Sequence, residues 1–240
     1  MNKRQTALKD LHSMIRTCEK CRLSATRQHA LTGEGNMDAR IMLIALSPGK
    51  ILDQLFREAG VGRDQVYMTN LVKCMLPKNR EPRADEIDAC SEFLDEEIAV
   101  INPETIVPLG YHATKKIFTK YHADHSSPRK DFSKLYGNLF FSDDQKILPL
   151  PHPATLIYNP SFETETTEKY KKLKTLLHDC KWFPMCPMKW HYEAGRLERK
   201  WIELYCRGDW ESCVRYEMEE KGRYHPDWML PDGSMDESLK

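Results

Sequence analysis

Ala7, Leu8, Leu11, Met14 and Ile15 recur at three- and four-residue spacing, which predicts a helix from Met1 to about Ile15 running straight into Cys18. Four short apolar runs follow, Ile41 to Leu46, Val66 to Leu71, Thr105 to Leu109 and Ile147 to Leu150. Each has the length and β-branched content of a buried strand. Helical patterns separate them at Ile51 to Ala59, Ala84 to Ile101 and Ala113 to Tyr121. Alternation of this kind predicts parallel strands joined by helical crossovers, an α/β sheet covered on both faces. Thr164 to Cys180 reads as a charged helix with Tyr170, Leu173, Leu176 and Leu177 on one side, and the character of the chain changes at Trp182. We expect a boundary there, with an α/β domain over 1–181 and a small helical extension over 182–240. Trp190, Ala194, Leu197, Trp201 and Leu204 predict one helix in that extension, and Asp209 is expected to cap a second one carrying Trp210, Val214 and Met218.

Composition adds little to this picture except in the extension. Lys and Arg number 36, as do Asp and Glu, so a nucleic-acid surface would have to be a local patch. No apolar run has the length of a membrane span, and the N-terminus has no hydrophobic stretch of signal-peptide type, so the expected setting is the cytoplasm. All five Trp lie at or beyond position 182, where aliphatic residues are few.

Eight cysteines change the picture more, because in a reducing compartment they read as metal ligands before disulfides. Cys18 and Cys21 form a CxxC, and Cys74 and Cys90 are separated by fifteen residues between a predicted strand end and the next helix. Two thiolates from a CxxC and two from a distant segment complete a four-thiolate site, for zinc or for an iron–sulfur cluster.

The segments around these cysteines resemble the family 4 uracil-DNA glycosylases, the iron–sulfur branch of the uracil-DNA glycosylase superfamily. The resemblance is carried by CEKCRL (Cys18 to Leu23), TGEGN (Thr32 to Asn36), VYMTNLVKCMLPKNREP (Val66 to Pro82), EIDAC (Glu86 to Cys90), INPETIVPLGYHA (Ile101 to Ala113) and PHPATLIYNP (Pro151 to Pro160). It implies an α/β/α sandwich around a four-stranded parallel sheet, with Cys18, Cys21, Cys74 and Cys90 holding a 4Fe–4S cluster. Asn70, at a strand end, is implied to read the uracil edge, which its amide suits because it donates and accepts at once. His152 is implied to donate a hydrogen bond to the base oxygen that gains charge as uracil leaves. Ser47 is the second expected base-binding residue, and Asn79, Arg80 and Arg129 are the expected DNA contacts. Read without the resemblance, an Asn at a strand end is commonly a turn residue and the basic groups are solvated surface.

The chain departs from the family after its first strand. Where family members carry GEAPG, an acidic loop and a stacking Phe, this chain has Ala45-Leu46-Ser47-Pro48-Gly49 and then a helix. Leu46 occupies the place of the Glu and cannot activate water. Ser47, Asp53 and Glu34 are the polar groups near enough in sequence to substitute.

Cys180, Cys186, Cys206 and Cys213 form a second set without a CxxC, separated by five, nineteen and six residues. A segment with so little aliphatic mass needs a metal or a cross-link, so a second cluster or a zinc is expected there, with His191 and His225 as substitutes for one thiolate. The expected function is hydrolysis of the N-glycosidic bond of a flipped uracil or other deaminated base by a monomer whose partner is DNA, single-stranded or uracil-containing. The alternative is a non-catalytic or redox-responsive iron–sulfur protein that binds nucleic acid on the same scaffold.

Overall fold

The computed structural model describes residues 3–46, 50–77, 80–123 and 129–240, and the side chains of residues 50 and 129–131 are not described. Ser47 and Asn79 therefore lie outside the described residues, as does the side chain of Arg129. Helix α1 (Lys3–Thr17) precedes a sheet built from β1 (Glu34–Gly35), β2 (Ile41–Ala45), β3 (Val66–Asn70), β4 (Thr105–Pro108), β5 (Phe140–Ser142) and β6 (Gln145–Ile147). The order across the sheet is β1-β3-β2-β4-β6-β5.

The inner four strands, β3-β2-β4-β6, are mutually parallel, as expected for βαβ crossovers. The crossovers run through α2 (Lys50–Ala59), α3 (Ala84–Ile101) and α4 (Gly110–Lys120). The sheet differs from the expected four strands by one short antiparallel strand at each edge, β1 on β3 and β5 on β6. β1 is two exposed residues without an apolar run, and β5 is only three half-buried residues long, its Phe140 and Phe141 too few to mark a strand by pattern.

Alternation along the strands sends side chains to two cores. Met42 and Ile44 of β2 join Tyr67, Leu94, Ile98, Ile106 and Ile117 beneath α1, α3 and α4. Ile41, Leu43 and Ala45 face the other way, into a core with Leu55, Phe56, Val107, Tyr170 and Leu173. That second core is closed by α2 and, after the single turn α5 (Thr155–Tyr158), by α6 (Glu163–Lys171), which gives the three-layer α/β/α sandwich.

From Cys180 onward the chain builds a third cluster from Phe183, Met188, Leu197, Ile202 and Leu230, with Trp182, Trp201, Trp210 and Trp228 packed around it. The single helix expected over Trp190 to Leu204 is interrupted. Helix α7 (Pro187–Glu193) ends before Gly195, which adopts a φ of 68°, and α8 (Arg199–Trp201) continues as a π turn, Ile202–Cys206. The residue preceding α9 (Val214–Glu220) is Cys213 rather than Asp209, whose carboxylate instead binds Lys172 at 2.8 Å. Among the described residues no helix is long and apolar enough to cross a membrane.

Candidate active site

Because the inner strands are parallel, their carboxyl ends form one rim, where α/β sheets gather ligand-binding groups. Asn70 is the last residue of β3, paired with Ala45 of β2, and only 6% exposed. Its Oδ1 is buried without a hydrogen-bond partner among the described residues. It lines a cavity of about 180 Å³ together with Ala30, Leu31, Thr32, Glu34, Ala45 and Leu109.

His152 follows β6, three strand positions from Asn70 and hence about 14 Å away across the backbone. The loop that carries it folds back over the start of α4. A Cβ on Gly110, whose φ is 79°, would stand 2.8 Å from the His152 Cβ, so only glycine admits the loop there. Nδ1 of His152 accepts the Ala154 amide proton at 3.2 Å. The ring proton is thereby placed on Nε2, which is buried and has no partner among the described residues. Burial also pushes the His152 pKa below its ordinary value, so the imidazole is neutral near pH 7. An orphan acceptor and an orphan donor thus stand on the same rim of the sheet.

Of the groups weighed as replacements for the lost acid, Glu34 lines the Asn70 cavity and Asp53 does not. Arg63 binds both carboxylates, Glu34 at 3.2 Å. Leu46 packs against the first core. The TGEGN turn brings Glu34 here because Gly35, with a φ of 114°, lets the turn close on the Val66 carbonyl, where a Cβ would collide.

Arg80 does not present a free guanidinium. It forms two hydrogen bonds to Glu86, at 2.5 and 2.8 Å, and a third to the Glu81 carbonyl. Glu86 in turn accepts the Arg83 amide at the start of α3, so Arg80 clamps the helix N-terminus.

Cys18, Cys21, Cys74 and Cys90 line one small cavity at the side of the sheet. Lys20 N donates to Cys18 Sγ at 3.4 Å, Lys73 N to Cys90 Sγ at 3.3 Å and Arg27 Nη1 to Cys74 Sγ at 3.5 Å. Donors aimed at sulfur stabilise thiolate charge, which is what a bound metal centre requires. Among the described residues no three His, Cys, Asp or Glu groups gather for a single metal ion. A tetrahedral zinc draws its thiolates to within about 3.8 Å of one another, whereas a cubane puts each on its own iron and spreads them. Four thiols are the donor set that either centre uses.

This site adjoins the Asn70 cavity. Ala30 pairs with Cys74, and Leu31 N donates to the Lys73 carbonyl at 2.8 Å, so the strip Ala30 to Thr32 that lines the Asn70 cavity is fastened to the segment carrying Cys74. Behind it, Glu97 of α3 holds Lys73 and Thr69 in a fully buried network and accepts the Gly33 amide. Sequence reading missed this network, since a Lys and a Glu twenty-four positions apart carry no sign of pairing.

Cys180, Cys186, Cys206 and Cys213 also share one cavity, of about 240 Å³, whose lining includes His225 and not His191. His225 Nε2 lies 3.0 Å from Glu219.

Residues 25–176 match the model of the uracil DNA glycosylase superfamily. The Type-4 uracil-DNA glycosylase of Sulfurisphaera tokodaii is 36% identical over 211 residues, covering 81% of this chain and 94% of that protein. The Type-4 uracil-DNA glycosylase of Saccharolobus solfataricus is 37% identical over 179 residues, covering 68% and 83%. That of Thermotoga maritima is 31% identical over 195 residues, covering 74% and 98%. With the sandwich in place and the match spanning residues 25–176, well over half of the chain, the chain belongs to the uracil-DNA glycosylase superfamily.

Proposed function

We propose that the protein is a DNA-repair N-glycosylase that hydrolyses the bond between deoxyribose and a uracil flipped out of DNA. The observation that carries this reading is the pair of orphan groups on the sheet rim, the Asn70 acceptor and the His152 donor. Uracil offers N3–H flanked by two carbonyls, so Asn70 Oδ1 accepts from N3–H while its amide nitrogen donates to O4. Cytosine reverses both groups and leaves Asn70 mispaired, a loss that a buried site penalises heavily. His152 Nε2–H donates to O2, where negative charge collects as the C1′–N1 bond breaks. A neutral imidazole serves this without delivering a proton, since the base departs as an anion.

Water must then add to C1′ and yield its proton. Glu34 is the carboxylate on the cavity lining, and in this reading it holds that water in place of the acid that Leu46 has replaced. Cys18, Cys21, Cys74 and Cys90 hold one 4Fe–4S cluster, which fastens the strip Ala30 to Thr32 and the Cys74 loop and so fixes one wall of the base pocket. Ile157 and Tyr158, 64% and 85% exposed just beyond His152, are placed to fill the gap left by the flipped base. Asn79 and Arg129 are proposed phosphate contacts.

A second reading is a DNA-binding protein without catalysis, favoured by Leu46 in the place of the acid. Anaerobically purified protein incubated with single- and double-stranded oligonucleotides containing uracil, hypoxanthine or xanthine separates the two. Alkali-labile abasic sites from uracil are expected. Salt-dependent binding without release of any of the three bases would assign the binding function instead.

A further inference from the structure

The segment from Cys180 onward lies beyond the last residue of the family match, so nothing in that match accounts for its four cysteines. They come from four separate turns, yet all face one cavity of about 240 Å³. The backbone amides of Trp182 and Phe183 lie near the Cys180 sulfur, and those of Arg215 and Tyr216 near that of Cys213.

A second observation is independent of the cysteines. Arg215 lines the same cavity, is 2% exposed, and carries a permanent positive charge. Its Nη1 donates to the Pro226 and Met229 carbonyls at 2.9 and 2.8 Å, but Nε and Nη2 have no acceptor among the described residues. The one carboxylate on that lining, Glu219, is engaged by His225 at 3.0 Å, and Arg215 forms no ion pair among the described residues. A buried guanidinium with two idle donors is costly unless something anionic reaches it.

We propose that Cys180, Cys186, Cys206 and Cys213 bind a second iron–sulfur cluster of the 4Fe–4S class, with Arg215 as its buried counter-cation. Four thiolates around a cubane core of charge +2 leave a net −2 facing Arg215, which supplies the missing partner. A zinc on the same four thiolates would carry the same net −2, and metal and sulfide analysis separates the two. The centre would also cross-link four turns of a segment whose own core is small and built around Trp rings. It does not depend on the glycosylase reading.

The test is iron, acid-labile sulfide and zinc analysis of the full chain purified anaerobically with iron and sulfide supplied. Two clusters give about eight irons and eight sulfides per chain. Cys206→Ser is expected to lower both to about four, and Cys186→Ser, at a half-buried position, does the same with less risk to folding. A tryptophan signal checks occupancy at this site, because all five Trp lie in this segment and Trp182 and Trp210 line the cavity. Removing the cluster through Cys186→Ser should relieve quenching and raise emission. About four irons in the wild type, one zinc beside four irons, or Cys186→Ser protein with unchanged iron and emission would each overturn the proposal.

Discussion

His152 is useful to the proposed reaction because it is uncharged. Nδ1 is occupied by the Ala154 amide, and burial keeps the ring from taking a second proton, so Nε2–H is a fixed neutral donor. His152→Ala should slow uracil release roughly 10²- to 10³-fold, the usual loss for one oxyanion donor, with a much smaller change in DNA affinity. Asn70→Ala should instead erode the preference for uracil over other bases, which competition kinetics would register. With the His152 pKa depressed, acidification through the ordinary histidine value of 6.5 should leave kcat/KM unchanged by this group, and its decline begins at lower pH. A drop centred at or above 6.5 that vanishes in His152→Ala would contradict the neutral-donor role. Both residues stand at the ends of predicted strands, and it was the resemblance of VYMTN and PHPAT to the family's segments that singled them out. Arg215 gave no such sign, since burial of an arginine depends on which carbonyls the fold brings to it.

Helix α3 shows how an element secures the site from behind. Glu86 in its first turn caps the helix and accepts Arg80, while Cys90 and Glu97, one and three turns on, serve the cluster site and the buried lysine. The Arg80 guanidinium, with the Arg83 amide assisting, holds the Glu86 carboxyl down to about 2. A carboxylate with a depressed pKa stabilises the fold fully above its unfolded value of about 4.5, and that contribution is lost as pH falls toward 2. Arg80→Ala should therefore destabilise the protein near neutrality, by an amount that solvent screening of the partly exposed guanidinium keeps modest. The difference from wild type should shrink below pH 4.5 in urea titrations. A deficit that persists undiminished at pH 3 would point to lost packing rather than lost charge. The ends of α3 were legible to the residue, for Ala84 to Ile101 is amphipathic and bounded by Pro82 and by Asn102, which takes the left-handed C-cap with a φ of 52°. Helices α7 and α8 were not, because Trp190 to Leu204 keeps its apolar period straight across the Gly195 break.

The extension and the sandwich are joined through buried charge, a connection that neither their periodicity nor their cysteines announce. Lys146 of β6 is 2% exposed, donates to the Arg207 carbonyl at 2.6 Å and lies 3.3 Å from Glu203, itself nearly buried in the π turn. Arg199 reaches Asp144 beside the edge strand, and Trp210 Nε1 donates to the Thr175 carbonyl at 3.1 Å. Cys180 N donates to the Cys206 carbonyl at 2.7 Å, so the second cysteine set sits directly on this seam. The sandwich holds most of the secondary structure and the extension holds every Trp, which allows one denaturation series to watch the two parts separately. In the wild type, circular dichroism and Trp fluorescence should give coincident urea midpoints, the mark of a single cooperative transition. Glu203→Ala leaves the Lys146 ammonium with only the more distant, half-exposed Glu104 at 3.7 Å and the Arg207 carbonyl, which weakens the seam. The fluorescence midpoint should then fall below the dichroism midpoint as the extension detaches first. Pairing Glu203→Leu with Lys146→Met removes both charges and should bring the midpoints back together, because a buried ion pair replaced by apolar side chains of similar volume costs little. Midpoints that stay coincident in Glu203→Ala would mean that the seam is held by the Trp210 contact and the Cys180–Cys206 backbone bond, with the ion pair contributing only specificity.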